Sequence, residues 1–84
     1  MKLVAEISLY PLNEEYIEPI KDFIARLNQY DALEVNTGMT STTVEGDYQL
    51  VMDVVSKEMK ISYEQMGQAI FVCKFINGDR MGEK

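Results

Sequence analysis

Histidine and tryptophan are missing from this sequence, and cysteine occurs once, at position 73. Without histidine there is no Cys–His nucleophilic pair and no His-containing zinc cluster, so no metal site and no cofactor is expected. A lone cysteine cannot close an internal disulfide, and small secreted domains commonly rely on such staples; a reducing compartment is expected instead. Basic residues are sparse as well. Eight Lys and Arg, scattered singly, stand against 14 Asp and Glu and leave a net charge of −6. Polyphosphate backbones are bound chiefly through clustered cations, so nucleic acid is not an expected partner. An acidic surface suits a cationic small molecule, although a domain can be acidic with no such ligand.

Long apolar runs are absent too. Nothing approaches the roughly 18 uncharged apolar residues of a membrane-spanning helix. Glu6 interrupts the N-terminal apolar run before a signal peptide's apolar region would be complete. The sequence therefore predicts a cytoplasmic protein, neither secreted nor membrane-bound. Glycines fall at 38, 46, 67, 78 and 82 and never cluster into a phosphate-cradling loop.

What is present is enough apolar material for a core: 46% of 84 residues is hydrophobic, ordinary for a globular chain. That length fits a single domain, read as residues 1–78 with a mobile C-terminal tail at 79–84. Domains of this size bury only about 60% of their unfolded surface, which makes an oligomer contact a natural source of further stability.

From Lys2 to Tyr10, Leu3, Ala5, Ile7 and Leu9 alternate with Val4, Glu6, Ser8 and Tyr10, the period-two pattern of a strand that Pro11 ends. Asn13 reads as a helix cap ahead of Glu14 and Glu15, although Pro19 can hold back the regular helix to near Glu18. Ile20, Phe23, Ile24 and Leu27 form its apolar stripe, with Lys21, Asp22, Arg26 and Asn28 outward. Strands are predicted at Leu33–Thr37 and Thr40–Glu45 around a reversal at Gly38-Met39, with Gly46-Asp47 breaking the extended run. A second helix follows an Asp47 cap on the stripe Val51, Val54, Val55, Met59; a polar link spans 62–67, and a last strand runs Ala69–Ile76 before Asn77-Gly78.

The order β-α-β-β-α-β predicts an α+β, ferredoxin-like βαββαβ sandwich, with two helices on one face of a four-stranded antiparallel sheet. The other face is left open. Because the last strand is apolar on both sides and the first presents Val4 and Tyr10 there, a homodimer or homotetramer through the open sheet face is expected.

Chemistry is harder to find. Glu14, Glu15, Glu18 and Asp22 lie on a solvent-facing helix turn and read as a solvated face rather than an acid–base pair. Met52 and Met59 read as packing filler. The informative region is polar: Asn36, Thr37, Thr40, Ser41, Thr42, Thr43 and Glu45 in the hairpin, beside Ser8 and Tyr10 at the end of the first strand. Alternation would set Thr40 and Thr42 on one face and Ser41, Thr43 and Glu45 on the other, so that one set could line a pocket. The β propensity of threonine alone would also account for such a strand.

The stretch Ser8-Leu9-Tyr10-Pro11-Leu12, followed by a helix and then by Asn36-Thr37-Gly38-Met39-Thr40-Ser41-Thr42-Thr43-Val44-Glu45-Gly46-Asp47, resembles the thiamine- and hydroxymethylpyrimidine-binding YkoF family across residues 3 to 77. The resemblance implies a ferredoxin-like domain without catalysis and a pocket between structural layers for thiamine or its pyrimidine. It implies ligand contacts from Ser8, Tyr10, Asn36, Met39, Thr40, Thr43 and Glu45: hydroxyls and the Asn amide for the aminopyrimidine, Tyr10 or Met39 against its ring, and Glu45 for the cationic thiazolium. YkoF-like proteins carry this domain in tandem, so a chain with one copy is expected to replace the covalent pair by a homo-oligomer. A binder in vitamin salvage, transport or delivery is thus the leading expectation and an assembly module without a ligand the alternative; an enzyme comes after both, since no carboxylate pair is distinguished by spacing or setting.

Overall fold

The computed structural model describes residues 1–15 and 17–78. Its elements are β1 (Lys2–Pro11), α1 (Ile17–Leu27), β2 (Glu34–Thr37), β3 (Thr42–Asp47), α2 (Tyr48–Met66) and β4 (Ala69–Asn77). The strands form one antiparallel sheet in the order β2-β3-β1-β4, the ferredoxin-like arrangement. The expected tail at 79–84 lies outside the described residues.

Alternation along β1 sorts the sheet into two faces. Leu3, Ala5 and Ile7 join Val44 of β3 against Phe23 and Leu27 of α1 and Val51, Val54 and Val55 of α2. Register then assigns the rest: Thr42, opposite Ile7, and Cys73, opposite the same residue, share the helix-facing side, whereas Thr43 and Lys74, opposite Glu6, share the open side.

Several boundaries differ from the sequence reading. Asn13 does not cap α1; its Oδ1 accepts from the Glu15 backbone N–H at 2.9 Å, a local turn two residues long, and the helix starts at Ile17. Pro19 then falls in the first turn, where its missing N–H costs no helical bond. β3 starts and ends two residues later than predicted, because Gly38–Ser41 forms the reversal, closed by Gly38 N–H donating to Ser41 O at 2.8 Å. Gly46 and Asp47 do not break the strand. Gly46 packs so close to Leu33 that a Cβ there would sit 2.6 Å from Leu33 Cδ2, so a glycine fits where a larger residue would collide. Asp47 does cap α2, accepting from Leu50 N–H at 3.2 Å.

The predicted polar link at 62–67 is largely helix. α2 continues to Met66 and stops at Gly67, whose φ of 74° lies in the left-handed region that glycine enters freely. Ser62 is polar and still helical and buried, because its hydroxyl serves the neighbouring helix instead of a loop. Arg26, expected to point outward, turns into that seam: Nε donates to Glu58 Oε1 at 2.6 Å and Nη2 to Ser62 Oγ at 2.6 Å. Tyr30 OH donates to the other Glu58 oxygen at 2.6 Å, so a buried carboxylate is satisfied on both sides.

Candidate ligand-binding site

Three side-chain hydrogen bonds and one backbone bond fix the hairpin tip beside β1. The Gly38 to Ser41 bond closes the turn, Ser8 Oγ donates to Thr40 O at 3.1 Å, and Thr42 Oγ1 donates to Thr37 Oγ1 at 3.4 Å across the last strand pair. Ser41 Oγ reaches Glu6 Oε2 at 3.5 Å. β1 thus holds the tip from the open side, while on the helix side nothing fills the space below it.

That space is a cavity of about 130 Å³. Its floor is apolar, from Ile7 and Leu9 of β1 and Ile20, Phe23 and Ile24 of α1, and its rim is the run Thr37–Thr42. Ile20 and Ile24 are only partly buried although they lie on the core stripe of α1, because they face this opening instead of the packed centre. Thr42 is almost wholly buried at 5% exposure, and its one protein hydrogen bond is long, so its hydroxyl can exchange that bond for a ligand's at little cost.

The seven residues implied as contacts divide between the two faces of the sheet. Met39 and Thr40 line the cavity, with Met39 fully exposed at the tip. Thr43 and Glu45 lie on the open face by register, and so do Ser8 and Tyr10 of β1 and Asn36 of β2. Thr40 and Ser41 belong to the turn, so the strand alternation that paired Thr40 with Thr42 does not extend to them. Glu45 is engaged by Lys2 at 3.4 Å and Thr43 by the Asn36 carbonyl at 3.4 Å. The open face carries its own shallow groove, about 290 Å³, along Val4, Glu6, Thr43, Lys74 and Ile76, with Phe75 at its edge. Thr37, Ser41 and Thr42, part of the polar hairpin but not among the contacts the resemblance implies, complete the cavity rim. Alternation separates Thr42 from Thr43 and Glu45, as the register has it, but only knowledge of where the turn ends places Thr37 and Ser41.

Electrostatically the cavity is neutral, with no ionisable side chain in its lining. Cys73 lies beyond it, packed against the core; burial pushes its thiol up, the opposite of an activated nucleophile. Among the described residues no group of three or more His, Cys, Asp or Glu side chains is placed to hold a metal ion. No helix among them is long and apolar enough to cross a membrane.

A model of the YKOF-related family matches residues 3–77, from the first buried residue of β1 to the last residue of β4. The chain belongs to the YkoF-related family. No curated protein matches it in sequence. Solved structures extend the likeness to the fold. A Streptococcus pneumoniae protein superposes with a TM-score of 0.88 at 18% identity, over 99% of this chain and 93% of its own. A Thermotoga maritima protein, provisionally described as a thiamine biosynthesis/salvage protein, gives 0.83 at 20% identity over 92% and 84%. A hypothetical protein of Methanocaldococcus jannascii gives 0.80 at 24% identity over 99% and 84%. At such identities these likenesses establish the YkoF-related domain's fold alone, and function has to be argued from the site.

Proposed function

We propose that this YkoF-related domain binds thiamine or its hydroxymethylpyrimidine moiety without transforming it, in the salvage, transport or delivery of the vitamin within the cytoplasm. The observation that carries the reading is the hairpin cavity, with its apolar floor and hydroxyl-rich rim. Its volume of about 130 Å³ is close to the ~150 Å³ cavity that holds benzene in an engineered protein core. Pockets for drug-sized ligands start at about 300 Å³. One six-membered ring therefore enters, and the second ring of thiamine stays outside, against Met39 and Thr40. Phe23 and the two isoleucines pack on the pyrimidine, and the Thr37, Ser41 and Thr42 hydroxyls, which both donate and accept, pair with its ring nitrogens and amino group. The net charge of −6 favours approach of the thiazolium cation. The provisional thiamine role of the Thermotoga maritima neighbour points the same way.

Ser8, Tyr10, Asn36, Thr43 and Glu45 then serve the open face, which a second copy of the chain covers in a homodimer or homotetramer. Tyr10, Ile70, Val72 and Ile76 are each about half exposed there. The same exposure favours the second reading, an assembly module with no small ligand. Calorimetric titration of the intact chain with hydroxymethylpyrimidine and with thiamine separates the two. Saturable micromolar binding of both, lost in an Ile24→Phe variant that fills the cavity, is the expected result. Absence of heat from either ligand at two temperatures would leave the assembly module.

A further inference from the structure

Glu6 touches the rim of the hairpin cavity from outside. No ionisable side chain lines the cavity itself. Ser41 Oγ, on the rim, nevertheless reaches Glu6 Oε2 at 3.5 Å, and Lys74 Nζ stands 3.8 Å from the other carboxylate oxygen. The register explains this placement. Glu6 is opposite Thr43 of β3 and Lys74 of β4, on the open side of the sheet, so it approaches Ser41 from the side away from the cavity.

An ionised carboxylate accepts hydrogen bonds and donates none. The proton in that contact therefore belongs to Ser41 and points to the open side, which leaves the hydroxyl's lone pairs toward the cavity. Thr42 is engaged in the same sense. Its Oγ1 donates to Thr37 Oγ1 at 3.4 Å, so its lone pairs remain for a ligand, while Thr37 receives that bond and keeps its own proton to give. Thr40, exposed at the tip, can turn its hydroxyl either way and adds no preference. The inner rim thus offers acceptors at Ser41 and Thr42 and a donor at Thr37.

An aminopyrimidine carries the complementary set: the amino group donates through both of its hydrogens, and the ring nitrogen beside it accepts. Replacing the amino group by an oxo group reverses this edge. A carbonyl then accepts where the amino group donated, and a ring N–H donates where the ring nitrogen accepted. Such a carbonyl would meet the lone pairs of Ser41 and Thr42, with the Glu6 charge behind them. We propose that Glu6 is a positioning residue that sets the specificity of the site: by holding the Ser41 proton outward it makes the rim select aminopyrimidines over their oxo counterparts, without touching the ligand. This rests on the ligand-binding function proposed above and narrows its ligand class.

A site whose polar groups match one ligand edge rejects a mismatched edge because buried polar groups are then left unpaired. The rejection here is bounded by the exposure of Glu6, whose side chain is 45% accessible. Ser41 can turn its proton inward while water takes its place on the carboxylate. The preference is therefore that of one ordinary hydrogen bond, about tenfold in affinity.

The test is calorimetric titration of the intact chain with hydroxymethylpyrimidine and with its oxo counterpart, on the wild type and on Glu6→Gln and Ser41→Ala variants. The wild type should bind the amine about tenfold more tightly. In Glu6→Gln the amide oxygen turns to Lys74 and its NH₂ to Ser41, which releases the Ser41 proton toward the cavity, so the ratio of the two affinities should fall to near unity. A residue that merely braced the hairpin would weaken both ligands alike and leave that ratio unmoved. Ser41→Ala removes the acceptor itself and should weaken the amine while leaving the oxo ligand unaffected. Equal affinities in the wild type, or a ratio that persists in both variants, would overturn the proposal and leave the binding function standing. No heat from either ligand would overturn both.

Discussion

The seam between the helices and the tip of the hairpin are built from the same kinds of polar side chain and use them in opposite ways. In the seam Arg26, Tyr30, Glu58 and Ser62 share three hydrogen bonds of 2.6 Å, and Glu58 and Ser62 are 3% and 0% exposed. Around the tip the side-chain bonds run from 3.1 to 3.5 Å, the Ser8, Thr37, Ser41 and Thr42 hydroxyls make one each, and a cavity lies beneath. Short, shared and dry bonds rigidify a fold, and breaking one strands a buried partner. Long single bonds beside an opening cost little to exchange, so the groups that make them are available to a ligand. Polarity by itself does not mark a binding site. What distinguishes one is how far its hydroxyls are already committed.

The sharpest way to break this contrast is to remove the centre of the seam. Glu58→Ala leaves the Arg26 guanidinium, 20% exposed, without its carboxylate. It should lower stability by about 3 kcal/mol, the low end for a buried pair losing one member, read as a fall in the urea midpoint with an unchanged m-value. Ligand affinity should hold wherever the variant is folded. Gly46→Ala comes next: the new Cβ meets Leu33 Cδ2 at 2.6 Å, a flexible side-chain end that has to move. Overpacking of this kind costs on the order of 2 kcal/mol, again visible in the denaturation midpoint.

Tyr30→Phe should cost about 1.5 kcal/mol at neutral pH, the value of a hydrogen bond to a charged group, and its deficit should depend on pH. The bond to Glu58 raises the Tyr30 hydroxyl's pKa above its ordinary value, with burial adding to the rise. A raised pKa stabilises the fold fully below the unfolded value of about 10, and that contribution is lost as pH rises through the folded value. Thermal melts across pH 8 to 11 should therefore show the wild type converging on the variant at the alkaline end. The smallest effect on stability, below about 1 kcal/mol, belongs to Thr42→Val, since Thr37 remains hydrated. The same change should weaken hydroxymethylpyrimidine binding about tenfold, or about 1.4 kcal/mol. A tip variant that destabilises and leaves binding intact would erase the distinction between the two regions.

Much of the fold was legible in the residue pattern because it follows from periodicity. Alternation in β1 and the stripes of Phe23 and Leu27 and of Val51, Val54 and Val55 announce which side each element buries. The differences at Arg26 and Ser62 share one cause, which is that a polar side chain need not be an exposed one. Arg26 and Ser62 read as surface and loop, yet each supplies the hydrogen bond that lets the other be buried, and a pair 36 residues apart leaves no local signature. The candidate site was legible as a region and not as a face. The Thr-rich hairpin stands out in composition, but a strand that starts at Thr42 instead of Thr40 leaves Thr40 in the turn, and the register then separates Met39 and Thr40 from Thr43 and Glu45. Turn closure by Gly38 and Ser41 decides that boundary, and many four-residue sequences would close equally well.

The central claim is that the hairpin tip, on its helix side, holds the ligand's pyrimidine ring. The most direct measurement is the change in backbone amide shifts as hydroxymethylpyrimidine is added to the ¹⁵N-labelled chain. Saturable shifts confined to the Thr37–Thr42 run and to Ile20, Phe23 and Ile24 are the predicted result. Shifts centred on Ser8, Tyr10, Thr43 and Glu45, with the α1 amides unmoved, would contradict it and move the ligand to the open face.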